Sequence, residues 1–81
     1  MNTIYEDKSA SQKFGQVIKA LRKKRQFTQE DLSEKSGIGV QHISRIENGS
    51  ANPTLKIVSA LAAALEVALS DVFSGLEKNN D

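Results

Sequence analysis

The sequence predicts an all-α domain of five helices, built around two short ones joined by a glycine turn. Three observations predict it. Apolar residues recur three and four apart instead of alternating as strands require. Ser9, Thr28, Thr54 and Ser70 stand where four of the runs begin, and Gly37 and Gly49 stand where the two central runs must stop. The chain of 81 residues can hold only one core, because a domain of this size buries roughly 60% of the surface its unfolded chain exposes.

The first helix opens at SASQ, where Ser9 caps and Gln12 completes a capping box. At about 100° per residue, Ala10, Phe14, Val17, Ile18 and Leu21 fall within about a third of the circumference, a core-facing stripe that runs to Arg25. The second opens at FTQEDL. Thr28 is its N-cap, Asp31 the third helical position, and Phe27 can staple onto Leu32. Gln29, Glu30 and Asp31 put acceptors and negative charge at the positive helix end. It stops at Ser36, since Gly37 takes the left-handed conformation favoured there.

The third helix runs from Gly39 or Val40 to Asn48. After the loop GSANP, Thr54 starts LKIVSALAAAL, with Leu55, Val58, Leu61, Ala62 and Leu65 on its apolar side and alanines that serve helix propensity and close packing. Ser70 caps a last short helix holding Val72 and Phe73. Residues 1–8 and 75–81 read as flexible tails around a domain of residues 9–74.

Net charge is only +1, yet Lys8 to Gln29 carries seven Lys/Arg and no acid, while Glu66 to Asp81 carries four acids and one Lys. Such asymmetry fits either an anionic partner for the basic end or a solvated helix face. Lys23, Lys24 and Arg25 read as solvated, with long-range steering as their contribution. No cysteine is present, which rules out a disulfide, a thiolate metal site and a cysteine nucleophile. With one histidine, no metal site is expected. The start, MNTIYEDKSASQ, is not expected to be a signal peptide, and no run of about 18 apolar residues suggests a membrane span, so a cytoplasmic location is expected. No nucleophile, metal cluster or phosphate loop can be assembled, so no catalytic residue, enzyme activity, cofactor or small-molecule ligand is expected. Gly37-Ile38-Gly39 lacks the preceding strand and the third glycine of a nucleotide loop.

The third helix has a distinctive wheel. With Ile43 and Ile46 inward, Gln41 points almost directly away from the core, Ser44 and Arg45 lie about 50° to either side, and Val40 and His42 sit at the boundaries. A short helix exposing hydrogen-bonding groups after a glycine turn is what helix-turn-helix recognition of a DNA major groove about 12 Å wide requires.

From Phe14 to Phe73 the chain resembles the phage repressor and Cro-like helix-turn-helix family, also called the XRE family. The resemblance is carried by FGQVIKALRKKR, FTQEDLSEKSGIG, HISRIENG, NPTLKIVSALAAALEV and LSDVF. It implies a lambda-repressor-like fold with helices two and three as the helix-turn-helix. Val40, Gln41, Ser44 and Arg45 match positions that approach base edges. Gln29 matches a residue that holds a DNA phosphate at the helix N-terminus, Arg22 and Glu47 a structural pair that leaves Arg22 near the backbone, and Asn48 and Asn52 loop positions that can touch phosphate. Thr28 and His42 complete the expected phosphate contacts. Gly39 departs from the Ser or Thr common at the recognition-helix cap, Ser33 replaces an alanine and should fit because it is small, and Val40 stands where many relatives carry a polar residue.

The expectation is a sequence-specific transcriptional regulator that binds double-stranded DNA as a homodimer on a palindromic operator. Val67, Leu69 and Val72 are the candidate dimer surface; Leu69 is expected at the interface and Phe73 in the core. The rival is a protein-interaction module, such as an antitoxin or bridging factor, that keeps the fold while its main partner is a protein.

Overall fold

The computed structural model describes residues 8–78, in five helices and no strand among those residues: α1 (Lys8–Lys24), α2 (Gln29–Ser36), α3 (Val40–Glu47), α4 (Leu55–Leu65) and α5 (Leu69–Lys78). Each contributes to one core. Ile18, Leu32, Ile43, Ile46, Leu61, Leu65 and Val72 are fully buried, at about 1.5–3 kcal/mol each. Phe14, Val17, Ile38, Val58 and Ala62 join them. α1 packs on α3 and α5, and α2 on α3 and α4, so the two short central helices are wedged between the longer ones.

Five helix boundaries or faces differ from expectation. α1 is already helical at Lys8, the first described residue, so Ser9 lies inside it rather than capping it. Ala10 is exposed and falls off the buried stripe. Leu55, in the first turn of α4, is 68% exposed, because the core begins one turn later at Val58.

α5 starts at Leu69, directly after Ala68, and is not capped by Ser70. The Asp71 carboxylate accepts the Ala68 backbone N–H at 3.0 Å, which places Ser70 in the first turn. The helix also continues to Lys78, through residues expected to be tail. Gly75 makes this possible: a Cβ there would meet the Val17 methyls at 3.1 Å, so α5 lies close on α1. The tail expectations for residues 1–7 and 79–81 lie outside the described residues.

Arg25 is not merely solvated. Its Nε donates to the Leu65 carbonyl at 3.0 Å and its Nη2 to Glu66 Oε1 at 3.1 Å, closing the C-terminus of α4 from just beyond the end of α1. Glu66 itself ends α4 in the left-handed region, at φ 60°. Lys23 and Lys24 are exposed, as expected.

Candidate nucleic-acid interface

α2 is held at both ends by its own residues. Thr28 Oγ1 accepts the Asp31 N–H at 2.9 Å while Asp31 Oδ2 accepts the Thr28 N–H at 2.8 Å, the reciprocal box the sequence predicts. The hydrogen bond from the Thr28 backbone N–H first, and the Thr28 side chain second, hold the Asp31 carboxyl below its ordinary range. At the other end Gly37, at φ 78°, donates to the Ser33 carbonyl. The Ser33 hydroxyl donates in turn to the Ile38 carbonyl at 2.6 Å, and the Ile38 N–H donates to Ser36 Oγ at 3.1 Å. Ser33, expected only to fit, therefore ties down the turn. A hydroxyl four residues ahead of the turn glycine was the available signal.

α3 begins on Gly39 with no side-chain cap. Its inward face is as the wheel predicts, with Ile43 and Ile46 at 0% exposure. Gln41 and Arg45 are exposed, and Val40, His42 and Ser44 are half-buried at the margins. The far end is clamped from two directions. Arg22 Nε donates to Glu47 Oε2 at 2.7 Å and Nη2 to Oε1 at 2.9 Å, while Nη1 donates to the Phe27 carbonyl at 2.8 Å. Gln29 Nε2, half-buried at the start of α2, adds a bond to Glu47 Oε1 at 3.0 Å. The Glu47 carboxylate thus links α1, α2 and α3, and through its hydrogen bonds it raises the Arg22 pKa above the ordinary value although burial opposes this.

The clamp redistributes the expected roles. The Arg22–Glu47 pair forms, both members being buried at 8% exposure, but this leaves Arg22 little surface for an external phosphate. Among the other phosphate candidates, Thr28, Asn48 and Asn52 are exposed and Gln29 and His42 half-buried. Below the clamp α1 touches α3 backbone to backbone: a Cβ on Gly15 would lie 2.3 Å from the Ile46 carbonyl oxygen and 2.7 Å from that of Glu47.

The dimer candidates separate differently from expectation. Val72 is fully buried, hence a core residue, and Phe73 is 45% exposed, hence not one. Adjacent residues of a helix point about 100° apart, and the contact of Gly75 with Val17 turns the Val72 side toward α1. Leu69 is 36% exposed, and Val67 packs partly buried against the core.

Two eight-residue helices, the first ending in a left-handed glycine and the second turning Gln41 and Arg45 outward, make this a helix-turn-helix protein. A helix-turn-helix family model matches residues 18–72. The chain belongs to that family, in its XRE-type branch. It is 36% identical over 67 residues to the control protein C.MunI of a Mycoplasma species, covering 82% of this chain and 90% of the relative. It is 40% identical over 58 residues to the immunity repressor of Bacillus phage phi105, covering 72% of this chain. The chain spans 40% of the length of that repressor, and 40% of the Bacillus subtilis regulator SlrR. Among solved structures it resembles the restriction-modification controller C.Esp1396I, crystallised as a tetramer with its natural 35-base-pair operator. That match has a TM-score of 0.81 and 38% identity over 85% of this chain and 91% of the other. The controller C.AhdI of Aeromonas hydrophila matches with a TM-score of 0.78 and 31% identity, over 80% of this chain and 98% of that one. Among the described residues no single helix is long and apolar enough to cross a membrane.

Proposed function

We propose that this protein is a sequence-specific DNA-binding transcriptional regulator, acting in the cytoplasm as a homodimer on a palindromic operator with α3 in the major groove. One observation carries the reading. α3 buries Ile43, Ile46 and Glu47 and leaves Gln41 and Arg45 to solvent on a helix too short to need that face for its own core. The operator-bound relative and the phage immunity repressor support DNA as the partner and repression as the mode of action. The reading includes no catalytic step and no cofactor.

In this arrangement Gln41 pairs with adenine and Arg45 with guanine, the partners their bidentate geometries suit, Ser44 bonds a base edge beside them, and Val40 meets a thymine methyl. Thr28, Gln29, His42, Asn48 and Asn52 hold phosphates on either side. With Val72 in the core, the outward apolar edge of α5, Leu69 and Phe73, is the surface we assign to pairing. Half-site centres then lie about 10 base pairs apart or a multiple of it.

Selection of binding sites from random duplex DNA tests the whole reading. A two-fold symmetric consensus is expected, and no enrichment at moderate ionic strength overturns it. On the selected site Gln41→Ala or Arg45→Ala should cost about 1–3 kcal/mol, with little change on random DNA. Equal losses on both would make that residue a backbone contact.

A further inference from the structure

α3 carries the reading face and α5 the pairing edge, and α1 joins the two. On one side α1 meets α3 backbone to backbone at Gly15. On the other it holds α5 in two places. Val17 lies against Gly75, toward the far end of α5. Just beyond the end of α1, Arg25 Nε donates to the Leu65 carbonyl at 3.0 Å and Nη2 to Glu66 Oε1 at 3.1 Å, at the root from which α5 departs. Val17 and Arg25 are eight residues apart, which is about 12 Å along a helix axis. Two attachments that far apart fix a direction as well as a position.

The joint they steady is short. α4 ends on Glu66, and α5 begins at Leu69 and leaves at 104° to α4. The fully buried Leu65 and Val72 set how deep α5 sits, but apolar burial has no preferred direction, whereas a hydrogen bond has one. Glu66 adds a second sign. It holds φ 60°, a left-handed conformation that costs a side chain what it does not cost a glycine. Strain kept at a non-glycine residue points to a use for its side chain, and this side chain reaches Arg25. The pair is exposed, 73% at Glu66, so it adds little to stability. What it supplies is orientation.

We propose that Arg25 is a positioning residue for operator spacing: with Glu66 it sets the angle of α5 to α1, and through that angle the separation of the two α3 helices in a dimer. The proposal rests on the homodimer reading above and adds to it two residues outside the helix-turn-helix and outside the pairing edge. The lever is long enough to matter. With α5 pivoting on Val17, a slip of about 1 Å at Arg25 turns it by about 5°. Carried over about 17 Å, half the span between half-sites one helical turn apart, and doubled by two-fold symmetry, that turn shifts one α3 against the other by about 3 Å. A base pair rises by about 3.4 Å.

The test uses the full chain and duplexes carrying the selected half-site, once, or as a palindrome at the preferred spacing and with one base pair added or removed. Affinities are read by fluorescence anisotropy. The wild type should prefer its own spacing by about tenfold or more, because mis-spaced half-sites cannot both be engaged. Arg25→Ala and Glu66→Gly should each cut that preference about threefold to fivefold, the change being partial because an added base pair also turns a half-site by about 35°. The preference is a ratio, so a uniform loss from removing a cation cancels. Glu66→Gly should also melt no lower than the wild type, since glycine relieves the left-handed backbone, which separates loss of orientation from loss of fold. A spacing preference unchanged in both variants, with or without weaker binding everywhere, overturns the role of Arg25. A wild type that binds the palindrome no better than a single half-site overturns the homodimer reading, and the spacing role with it.

Discussion

α2 and α3 are both eight residues long and stand side by side, yet they are held in opposite ways. α2 is secured by its own sequence: the Thr28–Asp31 box at one end, and Gly37 with the Ser33 hydroxyl at the other. α3 has no side-chain cap and is held from beneath, by Ile43, Ile46, the Glu47 carboxylate and the close passage of Gly15. In the reading proposed above the outer side of α3 belongs to a partner, which leaves few positions for self-stabilisation. Its support therefore comes from neighbours, and from the half of the circumference the partner never meets.

That contrast makes the α3 supports the costlier ones to lose. Glu47→Ala leaves the Arg22 guanidinium buried without its carboxylate, and chemical denaturation should register a loss of about 3–5 kcal/mol. A loss below about 1 kcal/mol, the worth of an exposed pair, would mean that apolar packing alone holds α3. Gly15→Ala comes next. The obstacle at 2.3 Å is backbone and cannot swing aside, so α1 and α3 must separate at a cost of about 1–3 kcal/mol, read by the same measurement.

On α2 the expected effects are smaller. Thr28→Ala should cost about 1 kcal/mol. The box also carries a pH dependence. The Asp31 carboxyl lies below 3.8 in the folded chain, through the Thr28 backbone N–H first and its side chain second. A depressed value means that ionised Asp31 favours the folded state above its unfolded pKa, and that this contribution is lost as pH falls through the folded one. Thermal melts of wild type and Asp31→Asn should therefore converge as pH falls below about 4. Gly39→Ser is the smallest change and reverses the comparison. The site has an extended backbone and open space for a Cβ, so a serine cap should stabilise α3 by a few tenths of a kcal/mol, about the difference between serine and glycine caps.

What could be read from the sequence follows the same division. The α2 box and its glycine stop are local signals within a few residues, and the inward pair Ile43 and Ile46 is set by helical period alone. Contacts across the chain left no such trace. Arg25 closes the end of α4 forty residues away, and in the sequence it is one more residue of a basic run. Val72 and Phe73 are adjacent apolar residues on a short helix, and which one is buried depends on how α5 rests against Val17, not on either side chain. Arg22 and Glu47 paired as the family resemblance implied. The third member of the clamp, Gln29, reaches Glu47 only because the folded turn brings the start of α2 to the end of α3.

The passage of Gly15 beneath the Ile46 and Glu47 carbonyls has a consequence for evolution. It adds a main-chain contact to the side chains that seat α3, Ile43, Ile46 and Glu47. Under the DNA-binding reading proposed above, positions 40, 41, 44 and 45 can then be rewritten for a different operator without re-solving how the rod is seated. The scaffold separates lettering from typesetting, so new specificities can arise by swapping a handful of codons while the mounting stays constant.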